Sequence, residues 1–510
     1  MNVAFDPWIP VVNMAGEREL ASLCSVLTEG EKFADLAVRP HERVALMRLF
    51  LCVAHAALDG PKDYDEWCEV PKRLPDAAFK YLTEWKDWFE LFHKERPWLQ
   101  VAGLKSAKDN DESAFTPLAK LDFSLASGAA STLFDHQGSK NSDRYFDHSQ
   151  LVLGLISMQN FSTCGLLSRP LWNGEATADS AKDAPCITSS MYHVFLVGKN
   201  LTETICLNIC DFEELAMLYN TDQNIDWLGR PVWEQMPKNK NDDKSVLTFL
   251  GRLTPVSRAV RLFDEAPKLL YGEGLRYSTY PDFPQEFNTS VAVKRVKKKE
   301  DRYLVGARLG IRPWRQLDAI LQYNLPSKTS SHAMNLSHLD NMSIDVWIGA
   351  LLRNPGKQDI LDSVESRFHI TKKFRSEIGC STYAIEVQKA QDVSRILEVA
   401  VYIYRTYCTV LDAGEVKGIG SSAINHYWTS VENNLPFLMA HIEAIDTDDA
   451  VSTCTVWHNK LFANARESYR IACGQETPRQ MRAFAMGWQK LTSTKEEPKK
   501  DTQETKEDEV

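Results

Sequence analysis

The sequence lacks several features that would define a protein class at once. It contains eleven cysteines, but none are arranged as Cys-x-x-Cys, so neither a zinc ribbon nor a disulfide framework is expected. The most apolar stretch, VALMRLFLCVAHAAL, is shorter than the ~18 residues of a membrane span and contains Arg48. The first residues, MNVAFDPWIPVVNMA, carry no cationic leader and include two prolines, so we expect no secretion and a cytoplasmic location.

An excess of positive charge is also missing. The 510 residues carry a formal net charge of -10, and the pI is near 5.7. Neutralisation of phosphates dominates the affinity of nucleic-acid-binding proteins, so this balance argues against a free-standing nucleic-acid binder. Local basic patches remain compatible with it.

The motifs that usually announce a cofactor or phosphate site are incomplete. Gly272-Glu-Gly274 lacks the third glycine and the following helix of a dinucleotide loop. The stretch GEVKGIGSS, residues 414–422, has no Gly-Lys-Ser/Thr ending and lies between helical patterns, so we interpret it as an inter-helix connection. No cofactor is expected.

Metal-ligating and catalytic patterns are equally weak. His41 and His55 are fourteen residues apart with no Glu-x-x-His motif, which favours one surface and one core histidine over a metal site. Asp446, Asp448 and Asp449 precede a helical pattern, where helix capping explains them better than an ion does. No Ser-His-Asp or Cys-His group can be assembled locally. We therefore predict no metal site, no catalytic residue and a protein that is not an enzyme.

The patterning predicts an α+β fold, a large mixed α/β N-terminal domain followed by a C-terminal four-helix bundle. We expect the first domain over 1–378, the bundle over 379–492 and a disordered charged tail over 493–510. In the first domain, RPHERVALMRLFLCVAHAAL is apolar nearly all round and predicts a central helix. A second helix is predicted from Asp76 to Lys94, with its aromatic residues in the core.

One basic segment interrupts this acidic chain. VKRVKKKEDR, residues 293–302, contains six basic side chains. The flanking segments VAVKRV and RYLVGARL alternate between apolar and polar residues, which predicts a β-hairpin with KKKED at its tip. A basic tip can contact nucleic acid, or can simply be solvated, since lysine discourages edge pairing of strands.

Several segments together resemble one family, the CasA family of large subunits of the type I-E CRISPR surveillance complex, Cascade. They occur in the family's order along nearly the whole chain: FDPWIPVV, LMRLFLCVAHAALDGP, ERPWLQV, HVFLVGKNLTETICLNI, GRPVWEQ, FLGRLTPVSRAVRLF and RPWRQLDAIL. The resemblance implies a non-catalytic subunit that binds the 5′ handle of the CRISPR guide RNA and recognises the motif flanking a target in double-stranded DNA. It also implies strand separation, contacts with other Cascade subunits and recruitment of a helicase-nuclease. Because guide pairing reads the sequence, such a subunit can be acidic overall.

The resemblance assigns candidate contacts to several positions. Phe134, in LFDHQGSKNSDRYFDH, matches a guide-contacting phenylalanine or serves as a hydrophobic anchor for its loop. QNFSTCGLLSR matches a glycine-rich loop that approaches the minor groove; Gly165 is kept, but the later glycines are Leu167 and Ser168, and a turn is the alternative role. GALLRNPGKQDIL, residues 349–361, matches the strand-separating hairpin or forms a plain polar turn. The predicted nucleic-acid-binding residues are Phe134, Gly165, Ser168, Lys268, Arg276, Lys294, Arg295, Lys297, Lys298, Lys299, Asn354, Lys357 and Gln358.

Two other function classes remain open at this point. A protein-protein adaptor without direct nucleic-acid contact would fit the acidic surface and the aromatic stripes. A nuclease would require a clustered metal site, which the sequence does not reveal, and incubation with DNA and Mg²⁺ or Mn²⁺ separates this class from the others.

Overall fold

The computed structural model divides the chain into two compact units, Met1–Lys372 and Lys373–Val510. Its described residues are 1–107, 115–124, 145–219, 227–264, 266–283, 285–296, 299–321, 330–331, 337–339, 342–354, 359–408 and 413–493. For residues 217–219, 293–296, 299–300, 330–331, 337 and 413–417, only the backbone is described. Among these residues, no helix combines the length and the apolar character that a membrane crossing requires.

The described helices of the first unit are mostly short. They are α1 Leu23–Thr28, α2 Pro40–Leu58, α3 Tyr64–Glu84, α4 His148–Phe161, α5 Leu201–Leu207, α6 Phe212–Tyr219, α7 Phe249–Leu253 and α8 Leu317–Leu321, with α9 Lys372–Arg375 at the unit boundary. The second unit contains the long helices α10 Glu377–Tyr407, α11 Ala413–Asn433, α12 Leu435–Ala444, α13 Ala450–Ala472 and α14 Pro478–Thr492. This distribution confirms the α+β fold class with a helical C-terminal region.

The described strands pair in small antiparallel sheets. They are β1 Ile9–Asn13, β2 Arg18–Ala21, β3 Phe33–Leu36, β4 Leu104–Lys105, β5 Phe115–Pro117, β6 Gly165–Leu166, β7 Leu171–Trp172, β8 Glu175–Ala176, β9 Ser180–Ala181, β10 His193–Val197, β11 Arg258–Leu262, β12 Lys268–Glu273, β13 Ser290–Val296, β14 Lys299–Leu304, β15 Ser330–Ser331, β16 Ile344–Arg353 and β17 Ile360–Ile370. The strand orders are β2-β1-β3, β10-β16-β17, β11-β12-β5, β14-β13-β15, β4-β7-β8 and β6-β9.

Helix α2 lies at the centre of the first unit, as its composition predicts. It is buried on nearly every side and contributes from Val44 to Ala54 to the main hydrophobic core. Arg48 is tolerated there because its guanidinium donates to Glu286 Oε2 at 3.1 Å, and Arg252 of α7 donates to Glu286 Oε1 through Nε at 2.9 Å. All three side chains are buried, so the core contains two arginines that share one glutamate as their counter-charge.

Histidine positions on α2 differ from the sequence-based interpretation. His41 and His55 are both buried, at 3% and 0% exposure, so the expected surface position is wrong. Each packs edge-on against phenylalanine rings, His41 against Phe123 and His55 against Phe249. Burial, the largest cause in each case, lowers the pKa of both imidazoles to about 3, so these rings are neutral parts of the core.

The second predicted helix has the wrong limits. Helix α3 begins at Tyr64, twelve residues before the predicted start, and contains Pro71 and Pro75 in its interior. The buried side chains at Val70, Leu74, Ala78 and Leu82 follow helical spacing, so burial of this face outweighs the cost of the prolines. Phe79 is 55% exposed and does not belong to the core, in contrast to the prediction.

The second unit is a helical bundle with one interrupted helix. The sequence pattern SSAINHYWTSVENNLPFLMAHIEAI predicts one helix, but the structure ends α11 at Asn433 and restarts at Leu435 as α12. Pro436 explains the break, since proline lacks an N–H group and clashes with the preceding turn of a helix. The stretch 414–422 lies inside α11 and is not an inter-helix connection. Gly418 and Gly420 weaken a helix by only about 1 kcal/mol each relative to Ala, which the packing of α11 outweighs.

Candidate nucleic-acid interface

The segment that contains Gly165 is a short excursion from the core with a fixed base. Strands β6 and β9 pair at Gly165–Ala181 and Leu166–Ser180. At the base, buried Arg258 donates through Nη2 to the carbonyls of Thr163 and Lys182, at 2.8 and 2.7 Å. We name residues 163–183 the β6–β9 loop. One guanidinium thus holds both ends of this loop against β11.

Glycine is required at position 165 for a local reason. Its φ is +147°, in a region that L side chains rarely adopt. The neighbouring Leu166 is 84% exposed, while Ser168 is half-buried and Arg169 is exposed. The large apolar side chain of Leu166 is therefore exposed to solvent next to Gly165, and the basic side chain of Arg169 is exposed in the same segment.

An ion pair connects the β6–β9 loop to the hairpin formed by β16 and β17. Arg353 Nη1 lies 2.6 Å from Asp183 Oδ2, and the same carboxylate accepts a hydrogen bond from the Cys164 backbone N–H at 2.8 Å. Both side chains are largely buried, at 15% and 21% exposure. Asn354 follows Arg353 directly, and its N–H donates to the Asp359 carbonyl at 3.0 Å, which closes the hairpin. The structure thus brings Gly165 and Asn354 to one place.

The predicted Arg276 is connected to the β6–β9 loop through Glu273. Glu273, at the end of β12, accepts the Ala178 N–H at 3.0 Å and also accepts from Arg276 Nη2 at 2.7 Å. Arg276 and Lys240 line an open cavity of about 460 Å³ with Glu273 and Asp243. The Arg276 side chain is 66% exposed. Because Glu273 compensates its charge, Arg276 is oriented but electrostatically weakened as a phosphate ligand.

Lys268 is separated from Arg276 by the length of β12. It begins the strand, opposite Pro117 of β5, whereas Arg276 follows the strand's other end. At ~3.3 Å per residue, the six-residue strand separates the two positions by more than 16 Å. The two predicted basic residues therefore lie toward opposite ends of β12.

The predicted basic hairpin is confirmed, but its tip is shorter than expected. Strand β14 begins at Lys299, which pairs with Val296, so Glu300 and Asp301 belong to the strand and not to the tip. The register places Lys294 opposite Asp301 and Arg295 opposite Glu300. The register thus pairs two of the predicted contact positions with acidic residues, and opposite charges at cross-strand positions attract one another in general.

The base of the basic hairpin joins the same region as the other two segments. The Ala307 N–H donates to the Ser190 carbonyl at 2.9 Å, and the Tyr192 N–H donates to the Val305 carbonyl at 3.0 Å. The Ser190 hydroxyl also accepts from the Arg353 N–H at 3.1 Å. The segment 183–192 is therefore the common anchor of the β6–β9 loop, the β16–β17 hairpin and the basic hairpin.

Part of the prediction lies outside the described residues. This holds for Phe134, Lys297, Lys298, Lys357 and Gln358. The positions that organise the described site, Asp183, Ser190, Arg258, Glu273 and Arg353, were not predicted. Each acts through a partner that is remote in sequence, as Asp183 and Arg353 are, 170 residues apart, so no local motif marks it.

Comparison with known proteins assigns the chain to a family. The model of the family described as CRISPR-associated protein Cse1 matches residues 2–468. A relative from Thermus thermophilus, described as CRISPR-associated protein CasA/Cse1, is 30% identical over 355 residues, in a match that covers 67% of this chain and 63% of the relative. That match spans less than two thirds of the relative's length.

Solved structures share the fold. A crystal structure of Thermus thermophilus CasA gives a TM-score of 0.75 at 21% identity and covers 96% of this chain and 98% of that chain. A chain of a structure described as a CRISPR RNA-guided surveillance complex gives a TM-score of 0.71 at 16% identity and covers 97% of this chain and 99% of that chain. With the family model matching 467 of 510 residues, from 2 to 468, the chain belongs to the CRISPR-associated Cse1 family.

Proposed function

We propose that this chain is the non-catalytic large subunit of a CRISPR RNA-guided surveillance complex, acting in the cytoplasm. In this role it recognises the protospacer-adjacent motif in double-stranded DNA and promotes strand separation and R-loop formation. Its further partners are the 5′ handle of the guide RNA, the other Cascade subunits and a helicase-nuclease that it recruits. Membership of the Cse1 family and the likeness to a chain of a solved surveillance complex support this role.

The observation that carries the proposal is the junction between two predicted DNA-contacting segments. The Asp183–Arg353 ion pair joins the base of the β6–β9 loop to the strand that leads into the predicted wedge, Asn354–Gln358. A motif reader and a wedge must act on adjacent base pairs, because opening starts beside the flanking motif. The partly buried pair supports this role because it links the base of the loop to Arg353, whose backbone N–H also donates to the Ser190 hydroxyl.

The surface chemistry of the β6–β9 loop fits minor-groove contact. Proteins that bend or open DNA often insert apolar side chains between base-pair steps and place basic side chains nearby to contact the phosphates. Leu166 is exposed close to the base of the loop, and the exposed side chains of Arg169 and Lys182 belong to the same loop. We expect Leu166 to pack against sugars or base edges, while Gly165 allows the close backbone approach.

The acidic balance of the chain is compatible with this function. Charges are screened over about 10 Å at 0.1 M salt, so local potential governs a short duplex contact. The exposed bases Arg302 and Arg308 extend the positive surface of the basic hairpin toward its root near Ser190. In such a complex, guide pairing supplies most sequence recognition, and a small contact surface is sufficient.

The decisive experiment separates duplex opening from binding. Complexes are assembled with the wild-type chain or with Asn354→Ala, Lys357→Ala and Gln358→Ala combined, and R-loop formation is timed on intact and premelted targets. Stacking contributes about 1.4 kcal/mol per base-pair step, so loss of a wedge that compensates one step slows opening about tenfold on intact duplex. A target mismatched at the first guide-proximal pairs restores the wild-type rate.

A matched control is Lys80→Ala, which removes an exposed lysine from α3. It leaves both rates unchanged under the proposal. Equal losses on intact and premelted targets would make the loop a general contact or folding element. If the triple variant changed neither rate, the assignment of Asn354–Gln358 as a wedge would be wrong, and a protein-protein adaptor role would gain support.

A further inference from the structure

A group of metal-ligating side chains converges inside the C-terminal bundle. Glu386 comes from α10, His441 from α12, and Cys454 and His458 from α13. We name these four residues the bundle cluster. Cys454 and His458 are four residues apart, which places them on one face of α13. The cluster thus ties three helices of the bundle together.

Three members of the cluster, Glu386, His441 and Cys454, offer ligand atoms that lie within 4.8 Å of one another, and His458 adjoins them through Glu386 and Cys454. Cys454 Sγ lies 3.9 Å from Glu386 Oε1 and 3.7 Å from His458 Nε2. A ring nitrogen of His441 lies within 4.8 Å of ligand atoms of both Glu386 and Cys454. Bond lengths of ~2.0–2.3 Å around a tetrahedral zinc ion correspond to ligand-ligand distances of roughly 3.3–3.6 Å. Cys454 Sγ is close to these separations from both of its neighbours, whereas the 2.7 Å contact between His458 Nε2 and Glu386 Oε2 must lengthen for both to bind one ion.

The hydrogen bonds around His441 indicate which ring nitrogen carries its proton. Its Nδ1 lies 3.3 Å from the Thr453 hydroxyl oxygen. That hydroxyl donates its own proton to the carbonyls of Asp449 and Ala450, at 2.8 and 3.1 Å. The hydroxyl oxygen therefore accepts from Nδ1–H, and Nε2 keeps its lone pair. Orientation of a histidine by a hydrogen bond from its second nitrogen is typical of metal ligands.

An ion pair alone does not explain this arrangement. Glu386 is 7% exposed and His458 is 33% exposed, and their 2.7 Å contact would satisfy the buried carboxylate. The convergence of a thiol and a second imidazole on the same carboxylate has no role in that pair. Four-helix bundles build metal sites from inward-facing side chains of different helices.

We propose that the bundle cluster binds a divalent metal ion of the zinc class as a structural site. A thiolate with two imidazoles favours Zn²⁺ over Mg²⁺ or Ca²⁺, which prefer oxygen ligands. Binding releases the Cys454 thiol proton to solvent. The His458 Nε2 proton is exchanged through water for one on Nδ1, so that Nε2 offers a lone pair to the metal beside the Glu386 carboxylate.

Cobalt titration of the full chain tests the site. The purified chain is treated with a chelator, and Co²⁺ is added while absorption is followed. We expect one Co²⁺ per chain with the near-ultraviolet thiolate-to-cobalt band and the visible absorption of tetrahedral coordination. Addition of Zn²⁺ abolishes both and raises the thermal unfolding midpoint. Folded wild-type protein with no thiolate-to-cobalt band would overturn the proposal.

Single-residue variants identify the side chains that give rise to the thiolate-to-cobalt absorption band. Cys454→Ser abolishes the thiolate band, whereas Cys68→Ser, at an exposed cysteine of α3, leaves it unchanged. His338→Ala is a second control, because His338 belongs to the other ligand group among the described residues. If Cys454→Ser fails to fold, His458→Asn keeps the thiol and must weaken cobalt binding at least tenfold. A band that survives Cys454→Ser, or is lost in either control, would contradict the assignment.

Discussion

The register of the basic hairpin predicts that its lysines contribute unequally to DNA binding. Lys294 and Arg295 lie opposite Asp301 and Glu300, whereas Lys299 lies opposite Val296. Cross-strand partners have Cβ atoms about 4.5–5.5 Å apart, close enough for the acids to compete with phosphates. The comparison is between a tip variant, with Lys297, Lys298 and Lys299 changed to Ala, and a strand variant, with Lys294 and Arg295 changed to Ala.

The magnitude follows from counterion release. Each phosphate contact on B-form DNA contributes about 0.9 to the slope of log K against log salt, so the tip variant flattens the slope by up to about 2.7. The strand variant removes two basic residues that are paired in register with acidic residues, so its slope of log K against log salt changes by less than about 1. Phosphate contacts carry no sequence information, and the loss is equal for flanked and unflanked duplexes.

The assay is duplex binding by the assembled complex between about 50 and 200 mM salt, with the slope fitted for each variant. An unchanged slope for the tip variant would return this hairpin to the role of a solvated turn. Equal changes for the two variants would refute the argument from register. A change confined to flanked duplexes would indicate base reading instead of phosphate contact.

Two further predictions concern groups that the fold buries. Glu286→Gln leaves the guanidinium groups of Arg48 and Arg252 without a compensating charge, so it lowers the free energy of unfolding by about 3–5 kcal/mol, measured by chemical denaturation. Burial alone would raise the pKa of the Glu286 carboxyl, but Arg48 and Arg252 hold that pKa below its usual value. The stabilisation that the ionised carboxylate contributes is therefore fully present above the unfolded pKa of about 4.3 and is lost as pH falls through the folded pKa. The wild-type protein thus loses more stability in acid than the Glu286→Gln variant does. Asp183→Asn and Arg353→Ala each slow R-loop formation, and the double variant is no slower than the slower single variant; additive effects would show that the ion pair does not couple the two segments.

Local patterns in the sequence predict the elements that local physics controls. Alternation identifies β13 and β14, and the continuous apolar run identifies α2. Where tertiary burial outweighs propensity, prediction fails, as in α3, which passes through Pro71 and Pro75, and in α11, which includes the glycine-rich stretch 414–422. The two-residue connection of the basic hairpin depends on pairing register, which composition does not determine.

The candidate site was predictable only in its exposed parts. Gly165 and Asn354 lie in segments that resemble a family, but the ion pair that joins them spans 170 residues, and a single sequence contains no signal for such a pair. The bundle cluster is only partly predictable from the sequence. The spacing of Cys454 and His458 is visible in the sequence, whereas Glu386 and His441 reach the same point only through the packing of α10 and α12.

The central claim is that this chain gives a guide-RNA complex access to double-stranded targets. The most direct measurement compares the assembled complex with one lacking this chain, using a flanked duplex target and the corresponding single strand. Loss of the chain is predicted to abolish high-affinity duplex binding while single-strand binding stays close to that of the whole complex, because pairing with the guide needs no strand separation. Equally tight binding of the flanked duplex by both complexes would contradict the account.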